Sequence, residues 1–194
     1  MKTSFFTAFN LQKERIVSST VSRPLAKVTK LDEVNSKKVE VVMGISGCGK
    51  TTIGQGVAHL AAIPFLDGDD FHPRENVLKM SRGLALDDDD RWPWLAAIVE
   101  YVKQSHREHF VLACSALKQE YRSFLTQSLD CQFHYLHISR QVAIDRMTNR
   151  KGHFMKPDLV DSQLDTLEVT PDLHQIDGAM SQEQITEAII QKMK

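Results

Sequence analysis

Cysteine is scarce in this chain: Cys48, Cys114 and Cys131 are all it has in 194 residues, an odd set without metal-ligand spacing. They supply no disulfide framework, so reduced thiols in a cytosol-like compartment are expected. Also missing is any apolar run near the ~18 residues that a membrane span needs, so no membrane association is expected. A basic excess is lacking as well. The net charge is −1, and it hides an asymmetry: residues 1–38 carry eight Lys/Arg against three acids, leaving 16 basic and 22 acidic residues beyond. A body with more acids than bases lacks the basic face of a nucleic-acid binder. No internal repeat and no low-complexity tract is present.

The length and a hydrophobic fraction of 42% fit one ordinary globular domain. Residues 1–38 lack a sustained apolar period and are acid-poor and serine-bearing. That composition is shared by transit peptides and by loosely ordered extensions. We read the segment as a poorly ordered N-terminal extension of a cytoplasmic protein, with organelle targeting left open. From residue 39 onward, strand and helix patterns alternate. Strands are expected at 39–43, 63–66, 110–114, 133–138 and 174–176. Helices are expected at 50–62, 73–83, 91–106, 118–128, 140–149, from about 158 to 168, and at 182–193. Such alternation predicts an α/β fold with a parallel sheet covered on both faces.

The run Gly44-Ile45-Ser46-Gly47-Cys48-Gly49-Lys50-Thr51 matches G-x-x-x-x-G-K-[ST] in full, between a strand and a helix. Its backbone amides, from Gly44 through Ser46, Gly47, Cys48 and Gly49 to Thr52, are expected to cradle nucleotide phosphates. Lys50 would reach the β/γ-phosphates and Thr51 would hold Mg²⁺. The spacing is not that of a dinucleotide-binding G-x-G-x-x-G. No Asn-Lys-x-Asp element reads guanine, and the strand at 110–114 ends in Cys-Ser rather than an aspartate. Carboxylates crowd instead after the second strand, at Asp67, Asp69 and Asp70. There one carboxylate can serve a metal while another accepts a proton from an attacking hydroxyl, unless the cluster is simply a solvated turn.

Longer strings narrow the choice. Asp67-Gly68-Asp69-Asp70-Phe71-His72-Pro73, Asp90-Arg91-Trp92-Pro93-Trp94-Leu95 and Ala113-Cys114-Ser115-Ala116-Leu117-Lys118 closely resemble the bacterial-type gluconokinase family. So do Tyr121-Arg122, Arg150-Lys151-Gly152-His153-Phe154-Met155 and Asp161-Ser162-Gln163 with Thr166-Leu167-Glu168. Ala85 stands where that family usually has proline, and Lys156 intervenes before Pro157. The resemblance implies a nucleoside-monophosphate-kinase-like P-loop fold with a five-stranded sheet in order 2-3-1-4-5. It also implies a mobile substrate segment at about 72–90, a lid at about 150–157 and a homodimer. The implied reaction is ATP- and Mg²⁺-dependent phosphorylation of D-gluconate at its 6-hydroxyl. Rival readings are a shikimate- or adenylyl-sulfate-type kinase, or a catalytically silent nucleotide-binding regulator.

On this resemblance Asp69 orients the acceptor hydroxyl and takes its proton, while Asp67 joins Thr51 in the metal shell. Arg150 stabilises the transferring phosphoryl, and Arg146 binds nucleotide or braces the lid. His72, Lys79, Arg91, Ser115 and Lys118 are candidate substrate contacts; each of the charged ones could instead be a surface ion-pair residue. Trp92 and Trp94 are expected to pack a helix start onto the body rather than stack on sugar. Cys48 is read as a small residue that the loop requires.

Overall fold

Runs dense in Val, Ile, Leu and Phe, too short for helices and bounded by glycine or polar turns, become strands buried on both faces. The computed structural model describes residues 36–149 and 159–193. Its strands are β1 (Lys38–Met43), β2 (Phe65–Asp67), β3 (His109–Ala113), β4 (Asp130–His137) and β5 (His174–Asp177). All neighbouring pairs are parallel and the order is β2-β3-β1-β4-β5, as expected. The helices are α1 (Lys50–Ala61), α2 (Arg74–Ser81), α3 (Asp88–Gln104), α4 (Gln119–Thr126), α5 (Arg140–Asn149), α6 (Leu159–Thr166) and α7 (Gln182–Lys192).

Alternation along each strand divides the core. Val39, Val41 and Met43 face Trp94, Leu95, Ile98 and Val102 of α3 and Tyr121 and Leu125 of α4. Val42 and Val111 face Ile53 and Val57 of α1, Ala143 and Met147 of α5, and Ile185 and Ile189 of α7. The chain leaves the central strand β1 toward β2 on one side and leaves β3 toward β4 on the other. That reversal opens a crevice at the strand C-termini, where ligands bind in open α/β sheets.

Several boundaries differ from expectation. Helix α3 begins at Asp88, not residue 91, because Asp87 and Asp90 form a reciprocal capping box. Pro93 therefore sits inside the helix, on its exposed side, rather than at the first turn. Strand β2 begins two residues late because Pro64 has no N–H to give; its carbonyl accepts from Val111 instead. Helix α6 ends at Thr166, and the Glu168 N–H turns to the Leu117 carbonyl. The expected extension over 1–38 falls outside the described residues up to residue 35, and the expected lid at 150–157 does so entirely.

Candidate active site

The glycine loop leaves β1 and enters α1 through backbone conformations that only glycine accepts cheaply. Gly47 has φ +84°, and a Cβ there would meet the Ala143 carbonyl of α5 at 2.8 Å. Gly49 caps α1 in the left-handed region, so Lys50 is the first helical residue. The Lys50 amine curls over the loop to the Ile45 carbonyl at 3.2 Å. Thr51 donates its hydroxyl to Asp67 Oδ2 at 2.9 Å, and Asp67 Oδ1 accepts from the Asp69 backbone N–H at 3.1 Å. One carboxylate thus ties the phosphate loop to the β2 turn. That turn is a 3₁₀ segment (Gly68–Phe71). A Cβ at Gly68 would strike the Ala113 carbonyl at 2.7 Å, and the Gly68 carbonyl accepts from Trp94 Nε1 at 2.7 Å.

A cleft open to solvent lies beside the loop. Ser46, Lys50, Asp69, His72, Arg91 and Ser115 line its polar part, and Gln163 and Ser162 of α6 join them. Met80, Leu86 and Leu159 pack together as an apolar wall. His72 is buried and stacks on Trp94, with ring centroids 4.3 Å apart and planes 17° off parallel. Trp94 therefore fixes a cleft residue while packing α3 onto the body; Trp92 packs against Tyr121 and Phe124.

The basic candidates separate. Arg91, with its side chain 11% exposed, lines the cleft and donates to the Tyr121 hydroxyl at 2.9 Å. Lys118 sits outside the lining, with its amine 2.7 Å from both oxygens of Asp88. Tyr121 also donates to Asp88, and Arg91 lies 3.6 Å from it. The Lys118 amine, then the Tyr121 hydroxyl, hold the Asp88 carboxyl below its ordinary value against the opposing effect of burial. Lys79 is likewise outside the lining, donating to Asp87 at 2.9 Å and to Asp90 at 2.5 Å. Both lysines brace the start of α3, the helix that carries Arg91.

Arg146, on α5, reaches the Gly47 and Cys48 carbonyls at 3.4 Å each and the Gly178 carbonyl at 3.1 Å. It holds the outer side of the phosphate loop. Thr52 is exposed on the first turn of α1. Burial pushes the Cys48 thiol up, so it is a protonated space-filler rather than a nucleophile. Arg150, Lys151 and His153 lie outside the described residues.

Two residues that brace the turn after β3 and the glycine loop escaped the sequence reading, although both stood in quoted strings. Arg122 is buried and donates to the Ala116 and Leu117 carbonyls at 2.9 Å each and to the Glu168 carbonyl at 2.8 Å. It thereby holds the turn after Ser115, where Ala116 has φ +42°. Gln163 accepts from the Ser46 backbone N–H of the phosphate loop at 2.7 Å. A non-charged residue on a helix far along the chain gave no chemical signal of that contact.

The chain is similar to known proteins of one family. The family model described as shikimate kinase matches residues 46–194. A probable gluconokinase of Schizosaccharomyces pombe is 44% identical over 153 residues, covering 73% of this chain and 79% of the relative. A gluconokinase of Gluconobacter oxydans is 47% identical over 137 residues, covering 68% of this chain and 76% of the relative. Among solved structures, a gluconokinase from Sinorhizobium meliloti superposes with a TM-score of 0.71 at 41% identity, covering 81% of this chain and 91% of that one.

Proposed function

The chain belongs to the gluconokinases, within the shikimate-kinase family of P-loop enzymes, and on that premise we propose that it moves the γ-phosphoryl group of ATP to the 6-hydroxyl of D-gluconate. The products are 6-phospho-D-gluconate and ADP. The observation that carries the reading is the junction of Thr51, Asp67 and Asp69 beside Lys50 at one end of the cleft.

The loop amides and Lys50 bind and orient the triphosphate. Mg²⁺ keeps several waters and takes one or two carboxylates plus substrate phosphates. The Thr51 hydroxyl and the Asp67 carboxylate, 2.9 Å apart, fit that donor set. When bound, the ion neutralises charge on the β- and γ-oxygens. Asp69 accepts the 6-hydroxyl proton as the new oxygen–phosphorus bond forms and the γ-phosphorus bond to the bridging oxygen breaks. Arg91 offers a cation to the sugar-acid carboxylate, and His72 and Ser115 offer partners to its hydroxyls. Arg146 keeps the phosphate loop in shape next to the nucleotide. Arg150 is assigned, from the sequence, to the charge on the transferring phosphoryl.

We further propose a cytoplasmic homodimer, on the family resemblance. Purified protein with ATP, Mg²⁺ and gluconate is expected to release ADP in a coupled assay, and shikimate or adenylyl sulfate are expected to give none. Turnover with one of those acceptors and not with gluconate would overturn the assignment. Binding of both ATP and gluconate without transfer would make the chain a silent regulator instead.

A further inference from the structure

Gln163 stands where the phosphate loop meets the acceptor side of the cleft. It is half-buried on α6 and shares the cleft wall with Ser46, Lys50 and Asp69. A backbone N–H can only donate, so the atom of the carboxamide facing Ser46 must be the oxygen, and the orientation of the amide is fixed by chemistry. Nε2, with two N–H donors, then lies on the side of the amide turned away from Ser46.

The helix beneath it is anchored. Arg140, at the start of α5, grips Asp161 of α6 with a two-pronged contact at 2.5 and 2.7 Å. Leu159 and Val160 are buried, Leu159 in the apolar wall with Met80 and Leu86 and Val160 in the core shared with α1 and α5. The carboxamide is therefore held from both ends, by the helix and by the phosphate loop. A group placed this firmly can set the position of a flexible polyol chain.

We propose that Gln163 is a positioning residue for the acceptor. Its Nε2 donates to a hydroxyl oxygen of the sugar-acid chain near the hydroxyl that is phosphorylated. Its Oε1 meanwhile keeps that chain in register with the loop that presents the phosphoryl group. A neutral amide matches hydroxyl oxygens, whereas a carboxylate or phosphate is better met by a cation. The described cations of the lining are Lys50 and Arg91, assigned above to the phosphates and to the sugar-acid carboxylate; Gln163 supplies a neutral donor for the hydroxyls. The inference rests on the gluconate reading above and adds a residue to it.

Two variants test it. Gln163→Met keeps the length and loses both hydrogen-bonding functions. Gln163→Glu still accepts from the Ser46 N–H but has no donor when ionised. Wild-type turnover of gluconate is measured first, since its absence would sink the gluconate reading rather than this one. Both variants are then expected to raise KM for gluconate about five- to twenty-fold, the scale of one lost hydrogen bond with its partner left unmet. In the uncharged Gln163→Met, KM for ATP should move by less than about threefold, below the size of a lost contact to the nucleotide. Unchanged KM for gluconate in Gln163→Glu would overturn the proposal, leaving at most a tie to the loop. Equal rises in both KM values of Gln163→Met would overturn it too, because the defect would then lie in nucleotide binding. Should Gln163→Met fail to fold, Gln163→Leu, equally neutral and without a donor, decides in its place.

Discussion

Asp67 and Asp69 are two residues apart yet stand in different chemical positions. Both oxygens of Asp67 accept from fixed protein donors, the Thr51 hydroxyl and the Asp69 N–H, so its carboxylate is held in one place. That suits a member of a metal shell better than a proton acceptor. Asp69 lines the cleft, where an acceptor hydroxyl would lie. Replacing Asp69 by Asn is expected to lower kcat about 10²- to 10⁴-fold, the usual weight of a general base, with ATP affinity by calorimetry nearly preserved. Lys50→Ala should also remove most of kcat. Near-normal turnover of the Asn variant would show that another group takes the proton. The glycine loop's place between β1 and α1 was legible because spacing alone defines it. Which cation lines the cleft was not. Arg91, Lys79 and Lys118 look alike as letters, and the choice among them follows from where α3 starts, since Asp87 and Asp90 claim Lys79 and Asp88 claims Lys118.

At the scale of elements, the strand–helix alternation was readable because buried parallel strands are short apolar runs, and the sheet order followed from the family resemblance. Ends were less readable, since a capping box and a proline moved them by two or three residues. The turn after β3 depends on Arg122, whose role needs the folded chain to bring residues 116–117 and 168–170 together. Arg122→Leu would strand several buried carbonyls and is expected to cost about 3 kcal/mol or more of unfolding free energy in urea titrations. A loss under about 1 kcal/mol would mean that the turn holds itself. The sheet carries a second buried polar row, unrelated to the cleft. Glu40 of β1 pairs with His134 of β4 at 2.8 Å and His109 of β3 at 3.1 Å, and His134 meets His174 of β5 at 2.9 Å. Burial, then the charges of His134 and Lys192, press the His174 pKa below its ordinary 6.5. Burial raises Glu40, but its bonds to the histidines outweigh that and lower it overall. Both folded values lie below the unfolded ones, so the unfolded chain binds more protons as pH falls. The stability is complete above about pH 6.5 and is lost first as His174 protonates, then as Glu40 does near and below its ordinary range. Melting temperature should therefore fall from pH 7 to pH 5, and His174→Gln should flatten the upper part of that slope. An identical slope in the variant would assign the acid sensitivity elsewhere.

At the scale of the whole molecule, charge is unevenly divided along the chain. The first 38 residues hold a third of the lysines and arginines, while the remainder holds 22 of the 25 acids. Among the described residues the five strands lie at or beyond Lys38, and the matched family region begins at residue 46. Every residue placed in the cleft, the phosphate loop and its braces lies beyond residue 43. A chain beginning at Ser36 contains the five described strands, together with the Lys37 carbonyl that receives the Asp130 N–H and the Lys37 amine that pairs with Glu108 at 2.6 Å. Such a chain is expected to keep kcat/KM for gluconate within about twofold of the full protein, because no contact of less than about half a kcal/mol would register. Gel filtration with light scattering on both chains reads the oligomer at the same time. A shortened chain that stays folded by circular dichroism but loses activity tenfold would place a catalytic or assembly role in the first 35 residues. If it keeps activity and changes only its assembly, the basic segment acts on partners rather than on phosphoryl transfer.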